Sequence, residues 1–283
     1  MPINVNNAFS LTGQRNINTS FNRLGGNLAK LASGKGINSA ADNAAGLAIA
    51  EQLSADIRSA EQAQRNINDG ASMARVAEGA TGEIGDLLTR GRELAIQASN
   101  GTLDNEQRAT IQKEVDSIKQ EINRISSVTE FNGQKLMNGE LAPDAANQVS
   151  IQAGIQSGPN DRLNVNVVKA TDTASLGVDT VDVSTQQGAR DALSSFDNAL
   201  AQVTQTRGEI GALQNRLDSS ARNLGVFKES LSAAESQIRG TDYASETSSF
   251  ARNQIQSQVA TNVLSQSNRA QAGVIGSLLN LKG

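Results

Sequence analysis

The chain has 283 residues, a formal net charge of −4, no Cys, no His and only 2% aromatic residues. Without imidazole or thiol, the Ser/His/Asp triad, Cys/His dyads, His general bases and zinc sites of the usual N/S kind are excluded, as are disulfides. Lys and Arg are dispersed along an acidic chain, which is not the electrostatic footprint of a nucleic-acid binder. Hydrophobic residues make up 37% with few aromatics among them, so slender helices packed through Ala, Ile, Leu and Val are expected, and an elongated shape with them. No window holds 18 apolar residues and the first thirty lack a basic start followed by an apolar core, so neither a membrane span nor a cleaved secretory signal is expected.

In chain order, Ile17, Phe21, Leu24, Leu28 and Leu31 alternate steps of four and three, the a/d stripe of a coiled-coil helix. Ser33-Gly34-Lys35-Gly36 interrupts it with a hinge or turn. Helical periodicity resumes from about Asp42 to Ser99 through Ile49, Leu53, Ile57, Ile67, Ile84, Leu87 and Leu94, and at ~1.5 Å per residue this helix is roughly 85 Å long. Gly79, Gly82, Gly85 and Gly91 lie inside it, each costing ~1 kcal/mol relative to Ala, so a closely packed neighbour is expected there. Asn100-Gly101 signals a turn, and Asp104 with Gln107 three residues on signals a capping box that starts a helix carrying Ile111, Val115, Ile118, Ile122 and Ile125, folded back antiparallel on the first.

Asn132-Gly133 and Asn138-Gly139 mark further turns. The alternation Val149, Ile151, Ala153, Ile155 followed by Leu163, Val165, Val167 predicts a β-hairpin, and 171–185, rich in Thr, Asp and Ser, is expected to be the least ordered stretch of the middle. Phe196, Val203, Ile210, Leu217, Leu224, Leu231 and Ile238 then recur at intervals of seven. Their partner positions degrade to Arg207, Gln214, Lys228 and Glu235 while Leu213, Phe227 and Ala234 come one place earlier, so this is a bundle helix facing more than one neighbour. Gly240-Thr241-Asp242 ends it, and a last helix carries Phe250, Ile255, Val259, Val263, Val274, Leu278 and Leu281. Chain ends are ordinarily polar and frayed. Apolar helices at both termini point to burial by each other and by further copies of the chain.

Individual motifs offer little chemistry. Ser33-Gly34-Lys35-Gly36 resembles the end of a phosphate loop, but Ala29 stands where the first glycine belongs and Gly36 where Ser or Thr is needed. Asp42, Glu51, Asp56 and Glu61 on one helix read as a solvated face, and the sequons at Asn18 and Asn100 as a helix face and a turn.

Several long segments together carry a resemblance. They are SGKGINSAADNAAGLAIAEQLSADIRSAEQAQRNINDGASMARVAEGA from Ser33, RELAIQASN from Arg92, TEFNGQKLMNG from Thr129, IGALQNRLDSSARNL from Ile210, DYASETSSFARNQIQSQVATNVLSQSN from Asp242, and the ending VIGSLLNLKG. On these the chain resembles the bacterial flagellins over almost its whole length, with about 140 to 187 unmatched. The resemblance implies a mainly α fold: a long antiparallel helical bundle or coiled coil formed by the N- and C-terminal segments, with a small β-hairpin region in the middle. It divides the chain into an inner-tube helix and hinge (1–41), the first half of a helical rod (42–140), a short variable outer region (141–186), the second half of the rod (187–240) and a C-terminal inner-tube helix (241–283). Ile17, Phe21, Leu24, Leu28, Leu31, Val274, Leu278 and Leu281 are then the assembly core.

The function implied is that of a non-enzymatic structural subunit that polymerises with itself into the flagellar filament for swimming, outside the cell, with no cofactor and no metal. Implied partners are copies of itself, an export chaperone on the C-terminal helix from about Tyr243, and the filament cap and hook-filament junction proteins. Export unfolded by the flagellar type III apparatus accounts for the missing signal peptide. The family resemblance also implies recognition by Toll-like receptor 5 through Arg90, Leu94 and Glu114, although Thr89 stands where the family carries Gln. Arg90 and Leu94, four apart, are expected to share one helix face. The alternative structural reading, a hook-filament junction protein, matches flagellins at the ends only. A protease-bearing flagellin is excluded in its zinc form by the absence of His, and the chain leaves the middle no room for the insertion.

Overall fold

The computed structural model describes residues 4–145 and 148–280. The chain is mainly α-helical: α1 (Asn4–Ser33), α2 (Ala40–Ala98), α3 (Asn105–Val128), α4 (Gln186–Arg239) and α5 (Tyr243–Asn280), with two small antiparallel hairpins between α3 and α4. These are β1 (Glu130–Phe131) with β2 (Gln134–Lys135), and β3 (Ser150–Gln152) with β4 (Arg162–Asn164). No helix among the described residues is long and apolar enough to cross a membrane. Two compact units divide the chain, Asp56–Glu229 and Met1–Ala55 with Ser230–Gly283.

The central unit, Asp56–Glu229, holds the hydrophobic core. Along α4 the sevenfold series is buried at Phe196, Val203, Ile210, Leu217 and Leu224, and the second row falls three places on, at Ala199, Thr206 and Leu213. Gly91 of α2 meets the Phe196 ring, Gln214 donates to Glu78 at 2.8 Å, and Arg92 pairs with Asp197 at 2.6 Å, so α2 and α4 run antiparallel. Helix α3 starts at the expected capping box, where Gln107 N donates to Asp104 Oδ1 at 2.8 Å and Gln107 Oε1 accepts from Asp104 N at 3.1 Å. It buries Ile111, Val115, Ile118 and Ile122 against the core and runs antiparallel to α2, bridged by Arg90 and Glu114.

Three expectations for this unit change. Of Gly79, Gly82, Gly85 and Gly91, only Gly91 answers to a tightly packed neighbour; a Cβ on Gly85 would make ordinary contact with Val203, and Gly79 and Gly82 would meet nothing within 4 Å. The stretch 171–185 has neither helix nor strand, yet it lies pinned along α3. Asn123 Oδ1 accepts from both the amide and the hydroxyl of Thr173, Lys119 Nζ donates to the Asp179 and Val181 carbonyls, and Gln112 accepts from Val183 N. Leu176, Val178, Val181 and Val183 are buried there, because isolated apolar residues among polar ones suffice once side chains satisfy the backbone. The hairpin of the middle is shorter than its alternation suggests, with three paired positions from Ser150↔Asn164 to Gln152↔Arg162. The Asn132-Gly133 turn, by contrast, makes a hairpin of its own: both residues have positive φ (52° and 79°), the two-residue loop that matches strand twist.

In the other unit, helix α2 does not begin cleanly. Asn43 is extended (φ −166°, ψ 100°), and its Oδ1 accepts from Gly46 N at 2.9 Å, so the long helix is capped by Asn43 after a short turn over the preceding residues. Helix α5 is capped by Asp242, whose Oδ1 accepts from Ala244 N and Ser245 N. Helices α1 and α5 lie antiparallel: a Cβ on Gly13 would stand 3.2 Å from Leu264 Cδ1, Asn253 hydrogen-bonds Asn27, and Gly34 lies against Tyr243.

Candidate functional site

The α1/α5 pair contains the residues singled out as the assembly core. Its seam on α1 runs through Gly13, Ile17, Ser20, Leu24, Asn27 and Leu31, and on α5 through Glu246, Phe250, Asn253, Ser257, Ala260 and Leu264, all at least partly covered. Each set follows steps of four and three, the geometry of two helices in lengthwise contact. The predicted stripe therefore splits. Ile17, Leu24 and Leu31 sit in the seam, while Phe21 (53% exposed) and Leu28 (56%) point away from it, together with Leu11. The reason is a displacement by one place: Ser20 and Asn27, not Phe21 and Leu28, complete the heptad that touches α5. On α5 the apolar residues Ile255, Val259 and Val263, spaced by four, are likewise outside the seam and 54–61% exposed. The side chains of Val274 and Leu278 and the whole of Leu281 lie outside the described residues.

Polar groups occupy the middle of the seam. Asn27 Nδ2 donates to Glu246 Oε1 at 2.6 Å, and Asn253 Nδ2 donates to Asn27 Oδ1 at 2.9 Å. A signal for these was present, since Asn27 follows Leu24 by three and precedes Leu31 by four, but reading only the apolar residues hides it.

Where α1 gives way to α2 and α4 to α5, the two connections clasp each other. Gly36 N donates to Arg239 O at 2.7 Å, Thr241 N donates to Gly34 O at 3.2 Å, and Lys35 and Gly240 form an isolated antiparallel bridge. Arg239 adds a donation to Ile37 O and an ion pair with Glu51, both at 3.1 Å. Gly34 has φ +68°, and a Cβ there would stand 2.8 Å from the Tyr243 hydroxyl, so this position needs glycine for both backbone and space. On the far side of the turn the Asp42 carboxylate accepts from Ser39 N, Ser39 Oγ and Asn38 N. Those donors, the Ser39 and Asn38 amides first, hold its pKa below the ordinary 3.8. The phosphate-loop look of Ser33–Gly36 thus resolves into a chain crossing.

In the central unit, Arg90 Nη2 donates to Glu114 Oε1 at 2.7 Å and Nη1 to Glu93 Oε2 at 3.2 Å, all three side chains being about half exposed. Both carboxylates raise the Arg90 pKa, Glu114 most. Leu94 does not share that face: it is 2% exposed and belongs to the core, because its four-residue offset from Arg90 rotates it off the exposed face. Thr89, next to the patch, spends its hydroxyl on Gly85 O.

Comparison with known proteins follows this architecture. Residues 3–142 match the bacterial flagellin N-terminal helical region, and residues 193–279 match the bacterial flagellin C-terminal helical region. A flagellar filament 30.7 kDa core protein of Treponema maltophilum is 37% identical over 278 residues, spanning 95% of this chain and 97% of the relative. A flagellin of Halalkalibacterium halodurans is 38% identical over 268 residues, spanning 94% and 96%. Among solved structures, a putative flagellar hook-associated protein from Vibrio parahaemolyticus matches with a TM-score of 0.55 over 66% of this chain and 95% of its own, at 16% identity, a likeness of fold alone.

Proposed function

The chain belongs to the bacterial flagellin family, and from that premise we propose that it is the non-catalytic structural subunit of an extracellular flagellar filament built from copies of itself. The contrast in burial between the two units carries this reading. The central unit buries a continuous apolar core, whereas among the described residues of the terminal unit the only buried apolar side chain is Ala50. Leu11, Phe21 and Leu28 on α1 and Ile255, Val259 and Val263 on α5 stay open to water. A helix pair that leaves six large apolar side chains exposed is stabilised by covering them, and a polymer supplies that cover from neighbouring copies. The test is to seed purified protein with filament fragments and view it by negative-stain electron microscopy. Growth of filaments is expected; a protein that stays monomeric or only caps the seeds would instead fit a hook-filament junction role.

Export through the flagellar type III apparatus belongs to the same reading, with a chaperone on α5 before assembly, junction proteins at the base and a cap protein at the growing tip. Its support is the family and the exposed Ile255–Val259–Val263 row, which needs cover in the cytoplasm. A second reading, recognition of the monomer by Toll-like receptor 5, is favoured by the solvent-open Arg90–Glu114 pair and is tested by the Arg90 variant discussed below.

A further inference from the structure

Strand β3 is paired on one side only. In its ladder Val165 N donates to Val149 O at 3.1 Å and Ala153 N donates to Asp161 O at 2.8 Å, so the backbone groups of Val149, Ile151 and Ala153 are turned toward β4. An antiparallel ladder alternates, and the backbone groups of Ser150 and Gln152 are therefore turned the other way. On that outer edge the Gln152 carbonyl accepts from Asn66 Nδ2 at 3.2 Å. The Ser150 amide, the Ser150 carbonyl and the Gln152 amide have no protein partner among the described residues.

A groove of about 780 Å³ runs along this edge. Four consecutive residues, Val149 to Gln152, line it from the β3 side, whereas Val165 alone does so from the β4 side. A groove over the face of the hairpin would meet alternate residues instead, because successive side chains of a strand point to opposite faces. Helix α2 contributes Asp69 and Met73, and the β1–β2 hairpin contributes Phe131 and Gln134. Among the described residues the Asp69 carboxylate and the Gln134 carboxamide make no hydrogen bond or ion pair. All of these residues belong to the central unit.

We propose that this groove takes a short extended segment of another polypeptide, added as a third strand to the outer edge of β3 with a lysine or arginine directed at Asp69. An unpaired strand edge is a template for one more strand, whose main chain supplies the partners that Ser150 and Gln152 lack. Four residues of edge at ~3.3 Å each give roughly 13 Å of contact. Asp69 is the charge that the groove leaves unneutralised, and Met73 and Phe131 offer apolar cover, so the segment that fits is apolar and basic. A second copy of this chain has no strand to offer, because each strand among its described residues is already in a two-stranded hairpin. A hairpin would bring a second strand into space that the β1–β2 hairpin already borders.

The probe is a blocked pentapeptide, Thr-Val-Lys-Val-Thr, added to full-length isotope-labelled monomer and followed by NMR. The amide signals of Ser150 and Gln152 should shift most and their hydrogen exchange should slow, with saturation in about the millimolar range. Asp69→Asn should weaken binding about two- to fivefold, and a peptide with norleucine in place of lysine should be weaker by the same factor and indifferent to Asp69→Asn. Ser150→Pro removes an outward amide that the ladder does not use, so it should leave the urea midpoint unchanged and abolish peptide binding. The Asp69→Asn comparison reads the same site with β3 intact. No saturable shift at about ten millimolar peptide, shifts centred away from β3, or full binding by Ser150→Pro would each overturn the added strand. Binding that depends on Asp69 but leaves the Ser150 and Gln152 amides unchanged is capture of a cation alone and overturns it as well.

Discussion

Gly91 and Phe196 approach so closely that a Cβ on Gly91 would stand 2.6 Å from ring atom Cε1, and the ring itself is fully buried. Helices α2 and α4 therefore meet through an absent side chain. Gly91→Ala should destabilise the central unit by about 1–3 kcal/mol through forced displacement of the ring. Gly82→Ala, on the same helix with nothing within 4 Å of the added methyl, should stabilise it by up to ~1 kcal/mol through helix propensity. Urea unfolding of the monomer measures both, and equal signs would refute the packing difference.

Arg108 ties the end of α2 to the start of α3. Its Nε donates to Ala98 O at 2.9 Å and its Nη2 to Asn100 O at 3.0 Å, and the residue is 6% exposed. Arg108→Met keeps the stem and removes the donors, leaving carbonyls of the helix end without partners. The expected cost is about 1–3 kcal/mol in the same unfolding experiment. A change within a few tenths of a kcal/mol would show that water replaces the guanidinium.

What the sequence made legible follows from which forces have a period. The α4 series at intervals of seven and the Asp104–Gln107 box are local patterns, and both stand where they are expected. Long-range choices were not legible. Phe21 and Leu28 fit an a/d stripe as well as Ser20 and Asn27 fit the seam, and nothing within α1 says which side α5 will take. Leu94 is spaced from Arg90 like a patch partner, yet four residues turn a helix by about 400°, and that 40° surplus is enough to carry a side chain from the surface into the core. The stretch 171–185 is held by Gln112, Lys119 and Asn123, donors and acceptors on another element that no local pattern reveals.

The Asp42 carboxylate should make the hinge acid-sensitive. Its pKa is depressed in the folded chain by the Ser39 and Asn38 donors, so its contribution is complete above the unfolded value of 3.8 and is lost as the pH falls below that, through the folded pKa. Observing the Asp42 carboxyl carbon by NMR should give a titration midpoint under 3.8. Asp42→Asn should abolish the acid-dependent loosening of residues 38–42 while leaving that turn weaker at neutral pH. A midpoint at or above 3.8 would refute the hydrogen-bonded turn.

Arg90 and Leu94 should separate in experiment, because one is on the surface and the other in the core. Leu94→Ala should lower monomer stability by about 2–5 kcal/mol through cavity formation. Arg90→Ala should cost less than ~1 kcal/mol, since its ion pairs with Glu114 and Glu93 are exposed. In cells reporting Toll-like receptor 5, monomer should signal, and Arg90→Ala should reduce the signal without a matching loss of stability. An unchanged response would remove Arg90 from the receptor reading, whatever Leu94→Ala does.

The exposed row on α1 offers the sharpest contrast between folding within one chain and assembly between chains. Phe21→Asp with Leu28→Asp places two carboxylates on the side of α1 that faces away from α5, where both side chains are more than half open to water. In the monomer those charges stay solvated, so melting of the central unit should match the parent protein. On the assembly reading the same positions are covered by a neighbouring copy in the filament, and each buried unpaired charge would cost several kcal/mol at every repeat. The double variant should therefore remain monomeric on seeding, with unchanged urea unfolding. Ile17→Asp with Leu24→Asp is the companion, because those residues sit in the seam with α5; it should disrupt the helix pair itself and increase protease cleavage of both termini even without seeds. Normal filaments from the Phe21/Leu28 variant would show that this row remains in water in the polymer, and the cover proposed for it would have to be abandoned.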